Sequence, residues 1–541
     1  MKKSIFLTLC LLCAFCGVWA QQENNPVTTS ETEALPRLEC ATRVYARPGI
    51  KFVQPVRIVT NTPNTYVRVP DLPLGLRWNS QRSRIEGVVN KPGNYVYHLS
   101  VLDDEHGSSY IVELTVSDSL QQPTPFMGWL SWNVFEEEVD EQKMLDMAHT
   151  AKHFGLDKLG YRYLCLDDWW HSSTDRPENG LPDYDHKKFP HGMKWLTDTL
   201  HNMGFKVGIY SDAAEHTCAG AFGSIGFEEK DAQQYAEWGF DLLKYDYCGA
   251  PKEQEEAFVR YKKMGDALKS CGRPMLFYMC EWGQRQPWLW GAETGASTWR
   301  CTYDSRDFWD WGNKYDSGHL GVIQAIDEMK HLWPYSGVNR FNDADMLMVG
   351  LEGEGKSSSY DAEHYHLVAG GAPVKREDYK GMTMEEYKSQ ISLWAMFASP
   401  LTLSFDLRKL YQKPEILQLI TNKELIDIDQ DALGLQAILM GDTVINGQHV
   451  EIYEKELENG DMAVAFFNRG KETVTFDYAL NRLYLPLDEL ILIHDVWGID
   501  KNDLVLRNYE EMPITVKSHE VRVFRLGKSL KNRRTFKKRK R

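Results

Sequence analysis

The stretch Leu242-Leu243-Lys244-Tyr245-Asp246-Tyr247-Cys248 decides how the fold of this 541-residue chain is interpreted. Leucines and an aromatic residue followed by a carboxylate are typical of a buried parallel strand, because such strands bury both faces and carry functional groups where they end. We expect Asp246 to act as a nucleophile. An aspartate that caps the next helix would give the same short pattern, so the other strands must decide between the two interpretations.

Strand-like segments alternate with helical ones along the middle of the chain. Eight strand candidates are Met127–Trp132, Tyr163–Asp168, Val207–Asp212, Leu242–Asp246, Met275–Glu281, Thr298–Asp304, Asp345–Gly350 and Pro400–Asp406. Helical patterns between them include Asp140–Phe154, Asp231–Trp238, Gln254–Lys269 and Met384–Phe397. This alternation favours a (β/α)8 barrel over an open doubly wound sheet, since no G-x-G-x-x-G turn follows the first strand. We therefore predict an α/β protein with a (β/α)8 TIM barrel as its catalytic domain.

Strands with period-two patterning flank this region on both sides. Residues 38–119 contain short runs such as Tyr95–Leu99 between turn residues, which predicts an amino-terminal β-sandwich. Similar runs over residues 434–527, ending with Val521–Leu526, predict a carboxyl-terminal antiparallel β-sandwich. The barrel domain is expected to span residues 125–433.

Composition narrows the class of partner. With 43% apolar residues the chain can bury a large core, and its length suits two or three domains. Its 17 Trp, 26 Tyr and 22 Phe include rings that can cover the apolar faces of sugars, although most are expected to pack in cores. A formal net charge of -15 disfavours nucleic acid or anionic lipid as the main partner, so a neutral substrate is expected.

Both ends of the chain are predicted to lie outside the folded domains. Residues 1–20 combine two lysines, an apolar run from Ile5 to Val18 and small residues near its end, the pattern of a signal peptide cleaved after Ala20. The run is about fourteen residues long, which is short for a membrane span. We therefore expect a secreted or periplasmic protein without a transmembrane segment. The basic run 528–541 is expected to be disordered, with anchoring to an anionic surface as an alternative.

Seven cysteines follow the predicted cleavage site, so at least one thiol is left without a partner in the chain. They are Cys40, Cys165, Cys218, Cys248, Cys271, Cys280 and Cys301. An exported protein can form disulfides, and none of these spacings matches a zinc site. Neither a metal nor a cofactor is predicted.

The predicted strand ends carry polar and aromatic side chains that would meet at one end of a barrel. In chain order they are Trp132, Asp167, Asp168, Tyr210, Asp212, Lys244, Asp246, Cys280, Glu281, Arg300, Asp304, Asp343 and Asp345. This set contains neither a metal-ligand cluster nor a Ser/His/Asp combination. Its carboxylates, two cations and aromatic rings suit glycoside hydrolysis, which uses two carboxylates across the scissile bond.

Short motifs at these strand ends carry a resemblance to a known family. The motifs are Phe126–Asn133, Tyr163–Asp168, Gly208–Asp212, His216–Gly220, Leu243–Asp246, Cys280–Trp282, Trp299–Asp304, Asn342–Leu347, Leu393–Ala395, Ser399–Leu401 and Asn422–Glu424. Their residues, order and spacing resemble those of the melibiase family of α-galactosidases. The resemblance extends from about residue 125 to residue 434.

The resemblance implies a retaining double displacement. Asp246 would attack the anomeric carbon, while Asp304 would protonate the leaving oxygen and then activate water. Such pairs of carboxylates lie roughly 5–5.5 Å apart. Lys244 precedes Asp246 by two residues on the same strand face, where its charge would help to keep the nucleophile ionised. A buried ion pair without substrate contact is the alternative for Lys244.

The resemblance also implies which residues surround the sugar. They are Trp132 against the apolar face, Asp167 and Asp168 at the 6- and 4-hydroxyls, Cys280, Glu281 and Arg300 around the 2-hydroxyl, and Tyr210 and Asp345 in the wall. Cys218 and Cys248 match the family's disulfide. A site built around a hydroxyl rejects analogues that lack or misplace it, because its own polar groups are left unpaired. Glu281 is expected to exclude a 2-acetamido sugar.

Part of the amino-terminal region resembles a second kind of module. Leu74–Trp78, Ile85–Val89 and Pro92–Tyr95 resemble the bacterial immunoglobulin-like modules that often precede secreted glycosidases. This resemblance implies a spacer, with sugar binding as the alternative role.

Two segments depart from the melibiase pattern. Ser336–Phe341 replaces the usual Gly-Pro-Gly-Gly-Trp before the seventh strand, and Ala344 stands where proline is common, so a reshaped loop is expected. About thirty residues, 351–380, intervene before the pattern resumes at Gly381. Because this insertion follows the carboxyl end of a strand, it is expected to shape the leaving-group side, with a solvated surface excursion as the alternative.

Three functions are compatible with the sequence. The first is an exo-acting α-galactosidase that releases terminal galactose from oligosaccharides or polysaccharides. The second is a β-L-arabinopyranosidase, for which Asp167 would lack a partner because that sugar has no 6-hydroxymethyl group. The third is a barrel that binds sugar without catalysis, although both proposed catalytic carboxylates are present.

Overall fold

The computed structural model describes residues 35–311, 319–354, 381–483 and 490–527. The predicted signal peptide, the predicted basic tail and residues 355–380 of the insertion lie outside the described residues. Within the described ranges, no helix combines the length and the apolar character that crossing a membrane requires. Three groups of sheets follow one another along the chain, and the middle group positions the candidate site.

Short strands form the sheets that precede the barrel. They are β1 (Arg37–Glu39), β2 (Arg43–Ala46), β3 (Lys51–Pro55), β4 (Arg57–Val59), β5 (Tyr66–Arg68), β6 (Leu76–Asn79), β7 (Arg84–Val88), β8 (Gly93–Leu102) and β9 (Gly107–Val116). Their sheets have the orders β2-β9-β8-β5, β3-β7-β6 and β1-β4. Alternate residues of β8, namely Tyr97, Leu99 and Val101, are buried because one face of its sheet packs on the core of this region.

Eight parallel strands form the middle sheet. They are β10 (Met127–Leu130), β11 (Tyr161–Cys165), β12 (Lys206–Asp212), β13 (Leu242–Asp246), β14 (Leu276–Met279), β15 (Thr298–Arg300), β18 (Phe341–Asp343) and β19 (Leu401–Leu403), while the short strands β16 (Asp304–Ser305) and β17 (His319–Leu320) pair with each other. The order is β18-β15-β14-β13-β12-β11-β10-β19. A parallel bridge between Leu347 and Leu403 joins the two ends of the sheet. The predicted (β/α)8 barrel is confirmed.

Helices connect the barrel strands. They are α1 (Trp132–Phe135), α2 (Glu141–His153), α3 (Leu156–Leu159), α4 (Met193–Asn202), α5 (Glu228–Trp238), α6 (Gln254–Ser270), α7 (Pro287–Trp290), α8 (Val322–Met329), α9 (Met384–Phe397), α10 (Pro414–Ile420) and α11 (Lys423–Asp429). Helix α9 begins with a capping box between Thr383 and Glu386. All five residues of β13 are buried, as expected for a strand covered by helices outside the barrel and by side chains inside it.

The seventh barrel strand lies earlier in the chain than the sequence predicted. The predicted range was Asp345–Gly350, whereas β18 comprises Phe341–Asp343 and pairs with β15. The backbone leaves the extended conformation at Asp345, whose φ is +81°. The run that follows is buried, which gave it the pattern of a strand, and Leu347 within it makes the bridge that closes the barrel.

Antiparallel strands form the third group of sheets. They are β20 (Ile438–Ile445), β21 (Gln448–Glu456), β22 (Met462–Asn468), β23 (Val474–Ala479), β24 (Leu490–Asp495), β25 (Leu504–Arg507), β26 (Glu511–Val516) and β27 (Val521–Gly527). The main sheet has the order β20-β21-β22-β27-β24-β25, and β23 pairs with β26. The pair packs on the sheet around Ile452, Phe466, Ile514 and Phe524. The predicted carboxyl-terminal sandwich is confirmed, with β25 as a strand that the pattern did not predict.

The loop that departs from the family pattern packs against the amino-terminal sheets. The backbone N–H of Ala41 donates to the carbonyl of Pro334 at 3.2 Å. Arg340 is buried, and its guanidinium donates to the carbonyl of Tyr335 at 2.6 Å. Gly337 and Arg340 form a bridge that turns the loop back on itself. Gly337, Val338 and Arg340 line a narrow cleft together with Tyr45, Phe52 and Val53, so the unusual loop sequence lies at a contact with sheets outside the region of resemblance.

Candidate active site

The carboxyl ends of the barrel strands surround a cavity of about 210 Å³. It is lined by Trp132, Asn133, Asp167, Asp168, Tyr210, Cys218, Lys244, Asp246, Cys248, Trp282, Arg300, Asp304, Arg306, Asp345 and Met346. The structure thus brings together all the predicted catalytic and sugar-binding residues except Cys280 and Glu281.

Asp246 ends strand β13, and its carboxylate is held from two sides. Oδ2 accepts a hydrogen bond of 3.0 Å from the hydroxyl of Tyr210, and Oδ1 accepts one of 3.3 Å from the backbone N–H of Tyr247. Burial raises the pKa of Asp246 to about 6, the positive charge of Lys244 opposes this rise, and the charge of Asp304 adds to it. The carboxylate is therefore fixed in direction and is ionised at neutral pH.

Lys244 forms a buried ion pair that also faces the cavity. Its Nζ donates to Oδ2 of Asp167 at 2.9 Å and lies 5.2 Å from the centroid of the Tyr210 ring. Burial acts to lower the pKa of Lys244, but the charges of Asp167 and other neighbours raise it above its ordinary value. Lys244 is therefore a permanent cation, paired with one carboxylate and close enough to a second, Asp246, to affect its ionisation.

Arg300 connects Asp304 with Asp345. Its guanidinium lies 3.1 Å from a carboxylate oxygen of Asp304 and 3.0 Å from one of Asp345. Asp345 in turn accepts a hydrogen bond of 2.6 Å from the backbone N–H of Ser305, the residue that follows Asp304 in β16. Arg300 and Asp345 therefore both hold this short strand. Burial acts to raise the pKa of Asp304, but the charges of Arg300 and then Arg306 lower it below its ordinary value. The side chain of Asp304 is 43% exposed, whereas that of Arg300 is 1% exposed.

Asp168 is positioned by the loop that carries the disulfide. Its Oδ2 accepts a hydrogen bond of 3.0 Å from the backbone N–H of Ala219, and its Oδ1 accepts one of 2.6 Å from that of Trp169. Ala219 follows Cys218, which forms a disulfide with Cys248 two residues after the end of β13. The disulfide implied by the family resemblance is confirmed, and it joins the loop that holds Asp168 to the strand that ends with Asp246.

Cys280 and Glu281 lie outside the cavity lining. Sγ of Cys280 is 3.7 Å from the guanidinium of Arg300, so it contacts a lining residue from behind. Glu281 turns toward Arg285, whose backbone N–H and guanidinium donate to Oε2 at 2.8 and 3.1 Å. Burial raises the pKa of Glu281 to about 8. At Trp282 the backbone has a φ of +59°, and this turn brings the Trp282 ring to the cavity instead of the Glu281 carboxylate.

Four further lining residues were not singled out from the sequence: Asn133, Trp282, Arg306 and Met346. Asn133, Trp282 and Met346 belong to the motifs that carry the family resemblance, so that signal could have identified them. Arg306 follows Asp304 by two residues, and its backbone N–H donates to the carbonyl of Leu320 at 2.8 Å. It belongs to none of those motifs.

One group of potential metal ligands lies beside the cavity. Asp212, Cys218, Asp246 and Cys248 each place one ligand-type atom within 4.8 Å of the others. Both cysteines are in the disulfide, and sulfur must be a thiolate to bind a cation in this way. In the oxidised protein this group is therefore a pair of carboxyl groups next to a disulfide.

The fold and the site together indicate the class of protein: two carboxylates in one polar cavity at the strand ends of a (β/α)8 barrel are the arrangement that glycoside hydrolases use. The family model described as Alpha galactosidase A matches residues 124–369 and 377–431. The model described as Alpha galactosidase C-terminal beta sandwich domain matches residues 447–526. The chain belongs to this melibiase family.

Relatives and solved structures support this assignment over most of the chain. Alpha-galactosidase A of Cellvibrio japonicus is 38% identical over 414 residues, covering 75% of this chain and 92% of the relative. The crystal structure of alpha-galactosidase I from Mortierella vinacea has a TM-score of 0.66 and 30% identity, covering 76% of this chain and 99% of that chain. A structure from Bacteroides fragilis, at 33% identity and a TM-score of 0.67, covers 93% of this chain and 100% of that chain.

A β-L-arabinopyranosidase from Geobacillus stearothermophilus shares the fold at a greater distance. It is 20% identical to this chain, with a TM-score of 0.60, and covers 76% of this chain and 98% of its own. This likeness concerns the fold alone.

Proposed function

We propose that the protein is a retaining exo-α-galactosidase that releases terminal α-linked galactose from oligosaccharides or polysaccharides. The observation that carries the proposal is that Asp246 and Asp304 line one cavity while differing in their surroundings. Asp246 is held by Tyr210 and lies near the cation Lys244, whereas Asp304 is more exposed and lies against Arg300. Two carboxylates in different environments suit two different roles.

In the first step, Asp246 attacks the anomeric carbon and forms an ester bond to the sugar. The bond from that carbon to the leaving oxygen breaks, and Asp304 gives its proton to this oxygen. Tyr210 and the backbone N–H of Tyr247 keep the attacking carboxylate in one orientation, which lowers the cost of reaching the transition state. Arg300 fixes Asp304 at the opposite side of the reacting centre.

Asp304 must gain a proton before it can act as an acid, because its pKa lies below its ordinary value. A sugar in the cavity excludes water from Asp304, and loss of solvation raises the pKa of a carboxyl group. The ionised Asp246 acts in the same direction. When the ester forms, the charge of Asp246 disappears and the pKa of Asp304 falls again, as its next role requires.

In the second step, Asp304 takes a proton from water, and the water oxygen attacks the anomeric carbon. The ester bond to Asp246 breaks, and galactose leaves with the configuration of the substrate, because each step inverts that carbon once. Asp304 ends the cycle protonated and Asp246 ends it ionised, which restores the starting state.

Galactose is recognised through Asp167 and Asp168 in this proposal. Backbone N–H groups hold Asp168, and Lys244 holds Asp167, so both carboxylates keep fixed directions toward the 4- and 6-hydroxyls. Trp132 covers the apolar face of the ring. Because Glu281 faces Arg285, we assign the exclusion of a 2-acetamido sugar to the Trp282 ring.

The test compares kcat/KM on the nitrophenyl α-galactoside, β-L-arabinopyranoside and α-N-acetylgalactosaminide. Galactoside should give the highest value. Arabinopyranoside loses the contact of Asp167 with the 6-hydroxyl, a loss of about 1–3 kcal/mol because Lys244 still partners Asp167. Asp167→Ala should reduce the preference for galactoside over arabinopyranoside. If arabinopyranoside equals or exceeds galactoside in the unaltered protein, the β-L-arabinopyranosidase alternative replaces this proposal.

We further propose that the protein works outside the cytoplasm. The predicted signal peptide and the disulfide near the cavity support this location, because disulfides persist in oxidising compartments. The amino-terminal sheets act as a spacer in this proposal. Detection of the mature chain beginning at Gln21 in a periplasmic or culture fraction would test it, and a chain found with Met1 in the cytoplasm would contradict it.

A further inference from the structure

Asp212 is a buried carboxyl group beside the nucleophile, and the mechanism above leaves it without a role. It is the last residue of β12 and pairs in register with Asp246, the last residue of β13. Asp212 is 0% exposed and is not part of the cavity lining. One of its carboxyl oxygens lies within 4.8 Å of one of Asp246. Two carboxyl groups so close together in a buried place do not readily ionise at the same time.

The contact of Asp212 with the disulfide suits a carboxylic acid better than a carboxylate. Its Oδ2 accepts a hydrogen bond of 2.9 Å from the backbone N–H of Cys248 and lies 3.8 Å from Sγ of Cys218. That sulfur is in the disulfide and has no hydrogen, so the second contact is a hydrogen bond only when Asp212 is the donor. Oδ1 makes no hydrogen bond to a side chain among the residues that the structure describes, and the backbone N–H of Ala214 interacts with the carboxyl group.

The charges around Asp212 lead to the same conclusion. Nearby cations among the described residues have other partners: Lys244 pairs with Asp167, Arg300 pairs with Asp304 and Asp345, and Arg260 donates to Glu256 and to the carbonyl of Ala213. The titratable groups that face Asp212 are Asp246, Asp168, Tyr210, Tyr245 and Tyr261. Burial raises the pKa of Asp212 well above its ordinary value, and the charges of Asp246 and Asp168 add to the rise, while the backbone N–H groups of Cys248 and Ala214 oppose it.

We propose that Asp212 is a positioning residue that stays protonated through the reaction and holds the Cys248 backbone behind the nucleophile. This inference rests on the proposed function, because it takes Asp246 as the attacking group. A protonated Asp212 accepts from the Cys248 N–H and donates toward the disulfide, so it fixes the chain two residues beyond Asp246. Its neutrality leaves Asp246 as the ionised member of the pair.

The experiment compares Asp212→Asn and Asp212→Ala with the unaltered protein. Asparagine keeps the shape of the side chain and is neutral at every pH, whereas alanine removes the acceptor for the Cys248 N–H. Asp429→Asn is the matched control, because Asp429 is also 0% exposed, lies in α11 and is not in the cavity lining. Thermal unfolding shows that each variant is folded, and kcat and kcat/KM are then measured against pH on an activated aryl α-galactoside.

Asp212→Asn should leave the acidic limb of kcat/KM in place and keep kcat within about threefold, because it removes no charge and keeps the acceptor. Asp212→Ala should lower kcat about tenfold or more with little change in KM, because the nucleophile is misaligned while the sugar still binds. Asp429→Asn should change neither the acidic limb of the pH profile of kcat/KM nor the value of kcat.

Two results would overturn the inference. If Asp212 is ionised in the unaltered protein, Asp212→Asn removes a nearby negative charge, and the limb moves to lower pH by about one unit or more. If folded Asp212→Ala keeps full kcat, Asp212 does not position the nucleophile. Should the alanine variant fail to fold, the pH profile of Asp212→Asn still decides the protonation state. Labelling of Asp212→Asn with a slow fluorinated galactoside separates the two proposals, since a label on a carboxylate other than Asp246 refutes the proposed function itself.

Discussion

At Asp246, burial and charge act on the carboxylate in opposite directions. Burial alone would raise its pKa further than about 6, and Lys244 limits the rise. Lys244 can do so because Asp167 holds it in place. Nζ of Lys244 lies 2.9 Å from Oδ2 of Asp167, and both residues line the cavity. The nucleophile is thus ionised at neutral pH and yet poorly solvated, a state that favours attack.

Asp304→Asn should move the acidic limb of kcat/KM to lower pH on an activated aryl galactoside whose leaving group needs no proton. The unaltered protein loses activity as the pH falls through the pKa of Asp246, about 6, because a protonated carboxyl cannot attack. The charge of Asp304 contributes to the raised pKa of Asp246. Removing that charge should therefore move the acidic limb of the pH profile to lower pH by about half to one unit. A pH series of kcat/KM measures the shift. A limb that stays in place or moves upward would show that the two carboxylates do not interact.

Single residues show how far the sequence could predict this site. Two arguments placed Asp246, Asp304 and their neighbours at one cavity: the strand ends of a barrel meet at one face, and the motifs resemble those of the family. The first argument works because the barrel itself fixes where its strands end. The resemblance placed Glu281 at the sugar, and the structure pairs its carboxyl group with Arg285 outside the cavity lining. The positive φ of Trp282 decides which side chain faces inward, and no pattern of residue types reports a backbone angle.

Among the elements, the strand ends and the loop after β12 determine the site together. The apolar pattern identified the barrel strands, but it placed the seventh strand at Asp345–Gly350, since burial without strand pairing gives the same pattern. The disulfide between Cys218 and Cys248 joins the loop that holds Asp168 to the end of β13. Its pairing came from the family resemblance, because cysteine spacing alone allows many connectivities.

Cys218→Ser should lower stability and sugar binding together. The bridge links residues 30 apart in sequence, and a cross-link of this kind contributes about 2–4 kcal/mol to the free energy of unfolding. Without it, the Ala219 N–H no longer holds Asp168 firmly, so KM for the galactoside should rise. Thermal unfolding and steady-state kinetics measure both effects. Cys271→Ser, at a buried free thiol, is the control and should leave KM unchanged. Peptide mapping that finds Cys218 and Cys248 as free thiols in the native protein would contradict the prediction.

On the scale of the whole molecule, the amino-terminal sheets are attached to the carboxyl-terminal sandwich. Glu456 of β21 lies 2.7 Å from Arg82 and 2.6 Å from Arg84, and it also pairs with Lys51. The side chain of Glu456 is 10% exposed, so most of this contact is shielded from water. Val53 packs against Leu433 and Leu435 beside it. The sequence predicted these regions as separate sandwiches, and their contact could not be predicted because it joins residues about 400 positions apart.

Glu456→Gln should lower the free energy of unfolding by about 1–3 kcal/mol, because it leaves partly buried cations without their shared carboxylate. The value of kcat for the folded variant should not change, since Glu456 is not in the cavity lining. Chemical denaturation and kinetics measure the two quantities. Glu458→Gln, at an exposed position two residues further on, is the control. Equal stability of the Glu456 and Glu458 variants would show that this contact does not hold the regions together.

The covalent intermediate tests most directly the central claim that Asp246 is the nucleophile of a retaining galactosidase. The unaltered protein and Asp304→Ala are treated with an activated 2-fluorogalactoside, digested and mapped by mass spectrometry. We expect the added sugar on Asp246 in both proteins, because this leaving group needs no proton from Asp304. A sugar found on any other carboxylate, or turnover of galactosides by Asp246→Ala, would show that Asp246 is not the nucleophile.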